Sequence, residues 1–256
     1  MNFLYSLWFF FLGAAIGSFL NVVIYRMPRE LSIIKPRSFC PNCKKPIQWF
    51  ENIPIASFIF LGGRCSQCKT SISIHYPAVE VITGFLVVYL FLKHGLNVDF
   101  LFYLLFFCSL IVISGIDYIF QIVPDIISIP GIVLGILFQI IKGNFVSGIV
   151  GMLFGGGLIL LIRIIGGRVY KKEVMGLGDV FLTAMIGAFV GFPLVIPAIF
   201  IGALVGASLG IVYLISTRQS RESPIPFGPF LSIGGIVVVV LEQQIVQFFV
   251  LFQIYL

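Results

Sequence analysis

The chain has 256 residues, 59% of them hydrophobic and 10% charged, with a formal net charge of +6 and a mean hydropathy of +1.13. A soluble globular domain carries about 25% charged residues, so this composition excludes one and points to an all-α polytopic membrane protein. The positive charge calls for no nucleic-acid partner, because topology and contact with the anionic headgroups of a lipid bilayer account for it.

Apolar stretches near or above the roughly 20 residues needed to cross a bilayer predict about eight transmembrane helices. They run approximately over 2–25, 77–93, 99–117, 124–142, 145–165, 179–193, 195–217 and 230–254. The first is not a cleavable leader: Arg26 and Arg29 follow it instead of preceding it, and the apolar run is too long. In an eight-helix arrangement one side collects fourteen Lys and Arg residues. They are Arg26 to Lys69 in the first loop, Arg163, Arg168, Lys171 and Lys172 around the third, and Arg218 and Arg221 in the last. The other side has only Lys93 and Lys142, so the rich side is expected to face the cytoplasm.

The loop after the first helix contains "CPNC" (Cys40, Cys43) and "CSQC" (Cys65, Cys68), with 21 residues between Cys43 and Cys65. Two such knuckles suit a structural zinc ion, four thiolates closing its tetrahedral shell and leaving no open position for catalysis. Disulfides are the bland alternative and a reducing cytosol argues against them; a redox CxxC is a further one. Cys108, inside the third apolar run, reads as a small packing residue.

Among the acids, Glu30, Glu51, Glu173 and Glu222 fall in hydrated loops, Asp99 opens a segment on the outer side, and Glu242 belongs to a polar face with Gln243, Gln244 and Gln247. Glu80, Asp117, Asp125 and Asp179 instead cluster at the cytoplasmic ends of helices. An acid near a helix centre costs about 2.5–3.5 kcal/mol on insertion scales and less near the interface, so its retention points to a polar cavity or a partner. Taken singly, Asp125 after Pro124 and Asp179 after Gly178 also read as helix caps.

Asp117 with Pro124-Asp125, followed by the GxGD sequence Gly176-Leu177-Gly178-Asp179, resembles the bacterial type IV prepilin peptidases, which are membrane aspartyl proteases. The likeness extends in order through "GSFLNVVIYRMP" (17–28), the paired CxxC loop, "ENIP" (51–54), "ISIHYPAVE" (72–80) and "PFGPFL" (226–231). It implies that Asp117 and Asp179 form a catalytic dyad needing no metal, with Asp125 in a supporting or capping place. The glycines before Asp179 would let the backbone approach a substrate or adopt conformations that a Cβ resists. The implied substrate is a prepilin or pseudopilin, cut on the cytosolic side after a glycine. Many family members also methylate the new N-terminus with S-adenosylmethionine, a step that the resemblance assigns to the N-terminal part.

On that reading, residues 1–78 form an anchor and cysteine loop serving methyl transfer, and 79–256 a membrane aspartyl peptidase domain. Gly17, Asn21, Arg26 and Glu80 are the cofactor-binding candidates. Close helix packing, an interhelical hydrogen bond and interfacial snorkelling are the plain explanations of the first three. The chain departs from the family pattern at His75, where arginine is common, and at Phe181, where lysine is. A cation transporter, a scaffold with a zinc loop, and a GxGD protease of the presenilin or signal-peptide-peptidase kind are the competing readings. No inverted repeat favours the transporter.

Overall fold

The computed structural model describes residues 2–171, 173, 175–217 and 226–251. Lys172, Arg218, Arg221 and Glu222, counted above in the cytoplasmic loops, lie outside the described residues. Among the described residues the fold is helical, with no strand beyond two isolated antiparallel bridges, Phe39 with Pro46 and Arg64 with Ser71. The chain divides into two compact units, Met1–Val112 and Ile113–Leu256. That division falls within one long helix, well beyond residue 78.

In the first unit, α1 (Asn2–Arg26) stops where Pro28 enters a 3-10 turn and Glu30 takes a left-handed conformation. The cysteine loop follows. It carries a second 3-10 turn at Trp49–Asn52 and a five-residue helix, α2 (Ala56–Phe60). Helix α3 (His75–His94) then returns to pack along α1. Their seam is made of small residues: a Cβ on Gly13 would come within 2.8 Å of the Gly84 Cα, and one on Gly17 within 2.8 Å of the Glu80 Cα. Apolar helices in lipid gain nothing from hydrophobicity alone, so close backbone approach supplies the attraction.

Helix α4 (Val98–Phe120) runs into the second unit, which continues with α5 (Asp125–Ile141), α6 (Phe145–Tyr170), α7 (Leu177–Val190), α8 (Val195–Thr217), α9 (Gly228–Val240) and α10 (Glu242–Leu251). Short α7 is the buried centre, with Leu182, Thr183 and Met185 all inaccessible to solvent. Glycines on its neighbours admit it: Gly151 of α6 lies against Gly187, and Gly135 of α5 against Ala188 and Phe189. Its last turn is held by the Gln139 side-chain amide, which donates to the Phe189 carbonyl at 2.6 Å. A buried carbonyl left open there would cost about 1–3 kcal/mol.

Among the described residues all eight apolar segments form helices, but length and composition do not confirm the expected count of eight spans. Among the described residues, five helices are long and apolar enough to cross a membrane, or up to six if the bent pair α9 and α10 counts as one. Helices α5 and α7 fall short of that length. The last segment breaks at Leu241 with a bend of 75°, where four valines give way to Glu242-Gln243-Gln244.

Candidate functional site

Asp117 sits in the last turn of α4 and Asp179 in the first turn of α7, with 5% and 8% of their surfaces exposed. Each is anchored by backbone. The N–H of Gly228, the first residue of α9, donates to Asp117 Oδ2 at 2.8 Å, and the N–H of Gly176 donates to Asp179 Oδ2 at 3.2 Å. The segment after Asp117 meets the loop before Asp179: a Cβ on Gly178 would fall 2.5 Å from the Val123 Cβ. The chain just after Asp117 thus packs against the start of α7, which places the two buried acids in one region of the second unit.

Neither Gly176 nor Gly178 has a positive φ; the conformational freedom expected of them is not used, and Gly178 serves close packing on Val123. Asp125 is exposed at the first helical position of α5, with Pro124 at the N-cap. It stabilises the positive end of the helix dipole instead of capping by hydrogen bond. The residue that sequence reasoning missed is Gly228. Its signal was a Gly-Pro step opening an apolar run, the mark of a helix N-terminus with a spare N–H.

In the first unit, Asn21, Arg26 and Glu80 line a cavity of about 430 Å³ together with Phe39, Glu51 and Tyr76. That volume lies in the range of small-molecule sites, about 300–1,000 Å³. The candidates also have structural work. The Arg26 guanidinium donates to the carbonyls of Ser32, Pro36 and Arg37 at 2.8, 2.7 and 3.2 Å, which folds the chain leaving α1 back over it. The snorkelling expected of Arg26 is therefore replaced by burial. The Asn21 amide donates to the Tyr76 carbonyl at 3.0 Å. Gly17 is not in the cavity lining and serves the helix seam. Glu80 Oε2 accepts the Ile55 N–H at 2.7 Å. Glu51, expected to be simply hydrated, accepts from the Lys45 ammonium at 3.3 Å and the Gln48 N–H at 2.9 Å. The Ser66 hydroxyl first, then Gln48 and Lys45, hold its carboxyl below the usual range.

The four loop cysteines converge, their sulfurs all within 4.8 Å of one another. Each knuckle has the same backbone design: the first cysteine N–H reaches a carbonyl five residues on, Lys45 or Thr70, and its own carbonyl receives the N–H four residues on. Lys44 and Lys69 take the left-handed conformation that closes each turn. The Cys40–Cys68 and Cys43–Cys65 sulfur separations are 3.8 and 4.0 Å, far beyond a disulfide bond and close to the edge of a tetrahedron with metal–sulfur bonds of about 2.3 Å. Thr70, through its hydroxyl and then its backbone, lowers the Cys68 thiol to about 5. The Lys45 backbone favours the Cys43 thiolate, but desolvation and the three neighbouring thiols push that group up to about 11. Such a cluster can hold a metal ion, whose charge would favour all four thiolates.

Residues 11–94 match the Bacterial Peptidase A24 N-terminal domain, and residues 104–211 match the Type IV leader peptidase family. Three proteins named prepilin leader peptidase/N-methyltransferase are similar along most of the chain. The one from Pseudomonas aeruginosa is 33% identical, covering 94% of this chain and 92% of its own length. The Legionella pneumophila protein is 32% identical, covering 95% of each. The Myxococcus xanthus protein is 34% identical over 85% of this chain, which spans 65% of that relative. No solved structure gives a significant match. A buried aspartate pair, a four-cysteine cluster after the first helix and this similarity along nearly the whole chain agree: the chain is a multi-pass inner-membrane protein and belongs to the type IV leader peptidase family.

Proposed function

We propose that this membrane aspartic protease cleaves the leaders of prepilins or pseudopilins after a glycine, with Asp117 and Asp179 as the dyad, and methylates the new N-terminus. Two buried carboxylates, each held by a glycine N–H on segments that pack against one another, carry the reading. Two acids held close do not readily both ionise, so the pair shares one proton. The ionised member draws a proton from water as the water attacks the scissile carbonyl, and the protonated member polarises that carbonyl. Collapse of the tetrahedral intermediate returns a proton to the leaving amine. Backbone donors from Gly228 and Gly176 fix the two carboxylates without adding a competing charge. Neither a transporter nor a scaffold is favoured, because the relatives matched over nearly the whole chain carry the peptidase name.

Methyl transfer is assigned to the first unit. Its cavity offers acids, a cation and aromatic rings, in Glu80, Glu51, Arg26, Tyr76 and Phe39, a lining that fits the ammonium, carboxylate and adenine of S-adenosylmethionine. That molecule supplies the methyl group; Glu80 and Asn21 would hold the polar ends, with Arg26 shaping a wall and Gly17 setting the helix seam behind it. The four cysteines hold zinc as a structural ion, matched by their spacing. The basic loops face the cytoplasm, and so do the dyad and the cysteine loop. The test is incubation of purified protein, wild type or Asp179→Asn, with a prepilin and S-adenosylmethionine, followed by mass spectrometry of the product N-terminus. Cleavage after glycine by wild type alone supports the dyad; cleavage by both proteins rejects it. An added methyl group supports the second activity.

A further inference from the structure

Helix α2 and its approach carry an unusual arrangement of strain, depth and exposure. The segment from Ile53 to Leu61 reads IPIASFIFL, with Ser57 its one polar side chain. Before it, Ile55 adopts φ 63° and ψ −52°, and the Ala56 N–H bonds to the Pro54 carbonyl. This is the γ-turn with positive φ, which is rare and strained, and a β-branched residue is poorly suited to it. Such backbone persists only where its surroundings hold it, and here Glu80 accepts the Ile55 N–H.

That bond also fixes a depth. Glu80 lies about 7.5 Å along α3 from its first residue, and Gly17, packed on Glu80, about 13.5 Å inward from the end of α1, at a rise of about 1.5 Å per residue. Both helices are apolar and long enough to cross a membrane. The loop therefore folds back so that α2 begins alongside the two helices instead of beyond their ends. At this level Ile59 is 68% and Phe60 89% exposed. Trp49 and Phe50, in the turn before α2, are also exposed, and Arg64 and Lys69 follow it. Aromatic and basic residues flanking an apolar face are the pattern of a segment lying in the bilayer interface.

We infer that α2 is an interfacial helix whose Ile59 and Phe60 are embedded among lipid acyl chains of the leaflet on the cysteine-loop side. Ser57, Phe58 and Leu61 line the cavity of the first unit, so one wall of that cavity is backed by lipid. The inference stands independently of the ligand assigned to the cavity.

The chain has two tryptophans, so Trp8→Phe and Trp49→Phe with Phe60→Trp leave one reporter on α2. The full-length variant is reconstituted into nanodiscs of phosphatidylcholine brominated at shallow or at deep acyl positions, and prepilin cleavage reports its integrity. The expected result is blue-shifted emission, largely lost with the shallow bromines, less with the deep ones, and protected from aqueous acrylamide. Red-shifted emission quenched by acrylamide and unaffected by bromines overturns the inference. Blue-shifted emission insensitive to bromines also overturns it, showing that protein covers the face. Ile59→Trp in the same background repeats the measurement if Phe60→Trp fails to assemble.

Discussion

The two units treat their polar residues in opposite ways. In the second, Asp117 and Asp179 are few, buried, and held through backbone N–H groups of glycines. In the first, Asn21, Arg26, Glu51 and Glu80 are side chains woven into the turns around a cavity. A site anchored by backbone can lose its chemistry and keep its fold, whereas one built from its own supports risks losing both.

Replacement of either dyad member tests the first half of that contrast. Asp117→Asn and Asp179→Asn should each lower prepilin cleavage by about 10²–10⁴-fold, and the double variant little further, because members of one catalytic unit are not additive. Thermal stability should hold or rise, as it does when a strained active site is relaxed; a clear loss of stability in both single variants would erase the distinction. Gly228→Ala places a Cβ 2.7 Å from Asp117 Oδ2. Displacement of a catalytic group by about 1 Å can cost 10²-fold, so cleavage should fall on that order while substrate binding, measured by co-purification, persists.

The first unit should respond differently. Replacing Cys40 and Cys65 by serine, or stripping metal with a chelator at acid pH, should abolish the zinc proposed for the loop, read by elemental analysis, and weaken methyl transfer, while prepilin cleavage is spared more. Protonation of thiolates releases the ion, so metal content should fall as pH drops. Glu80→Ala leaves the half-buried Ile55 N–H without its acceptor, a loss of about 1 kcal/mol. Glu80→Gln should restore most of the stability, read by thermal unfolding, and methyl transfer only if the negative charge is dispensable.

Glu51 offers the smallest effect. Its carboxyl is held below the usual range, so its contribution is present above the unfolded value, about 4.3, and disappears as pH falls through the lower folded value. The Glu51→Gln variant should therefore differ from wild type in loop opening, followed by thiol labelling, at neutral pH, and converge with it in strong acid.

Much of this was legible in the sequence because membranes write in long runs: eight apolar segments bounded by charges, proline or glycine became eight helical segments, and CxxC repeated at a distance became one cluster. That Asp117 and Asp179 are acids withdrawn from water was equally visible. Contacts made by backbone were not. Nothing in the identity of Gly228 specifies that its N–H finds a carboxylate 111 residues earlier, and Ile55 is among the last residues that propensity would place at a positive φ. The bend at Leu241 was hidden for another reason, since neither proline nor glycine marks it. Length and composition do not confirm the number of spans, because they do not separate a helix facing lipid from one such as α7, enclosed by other helices.

The glycine seam between α1 and α3 has a consequence for how the first unit can be assembled. Gly13, Gly17 and Gly84 let the two helices touch backbone to backbone, an attraction that operates in lipid and does not depend on the chain being continuous. The connecting loop is thus a tether more than a clasp. Two polypeptides divided within it, each inserted on its own, should recognise one another in the bilayer, making this unit a natural candidate for split-protein complementation.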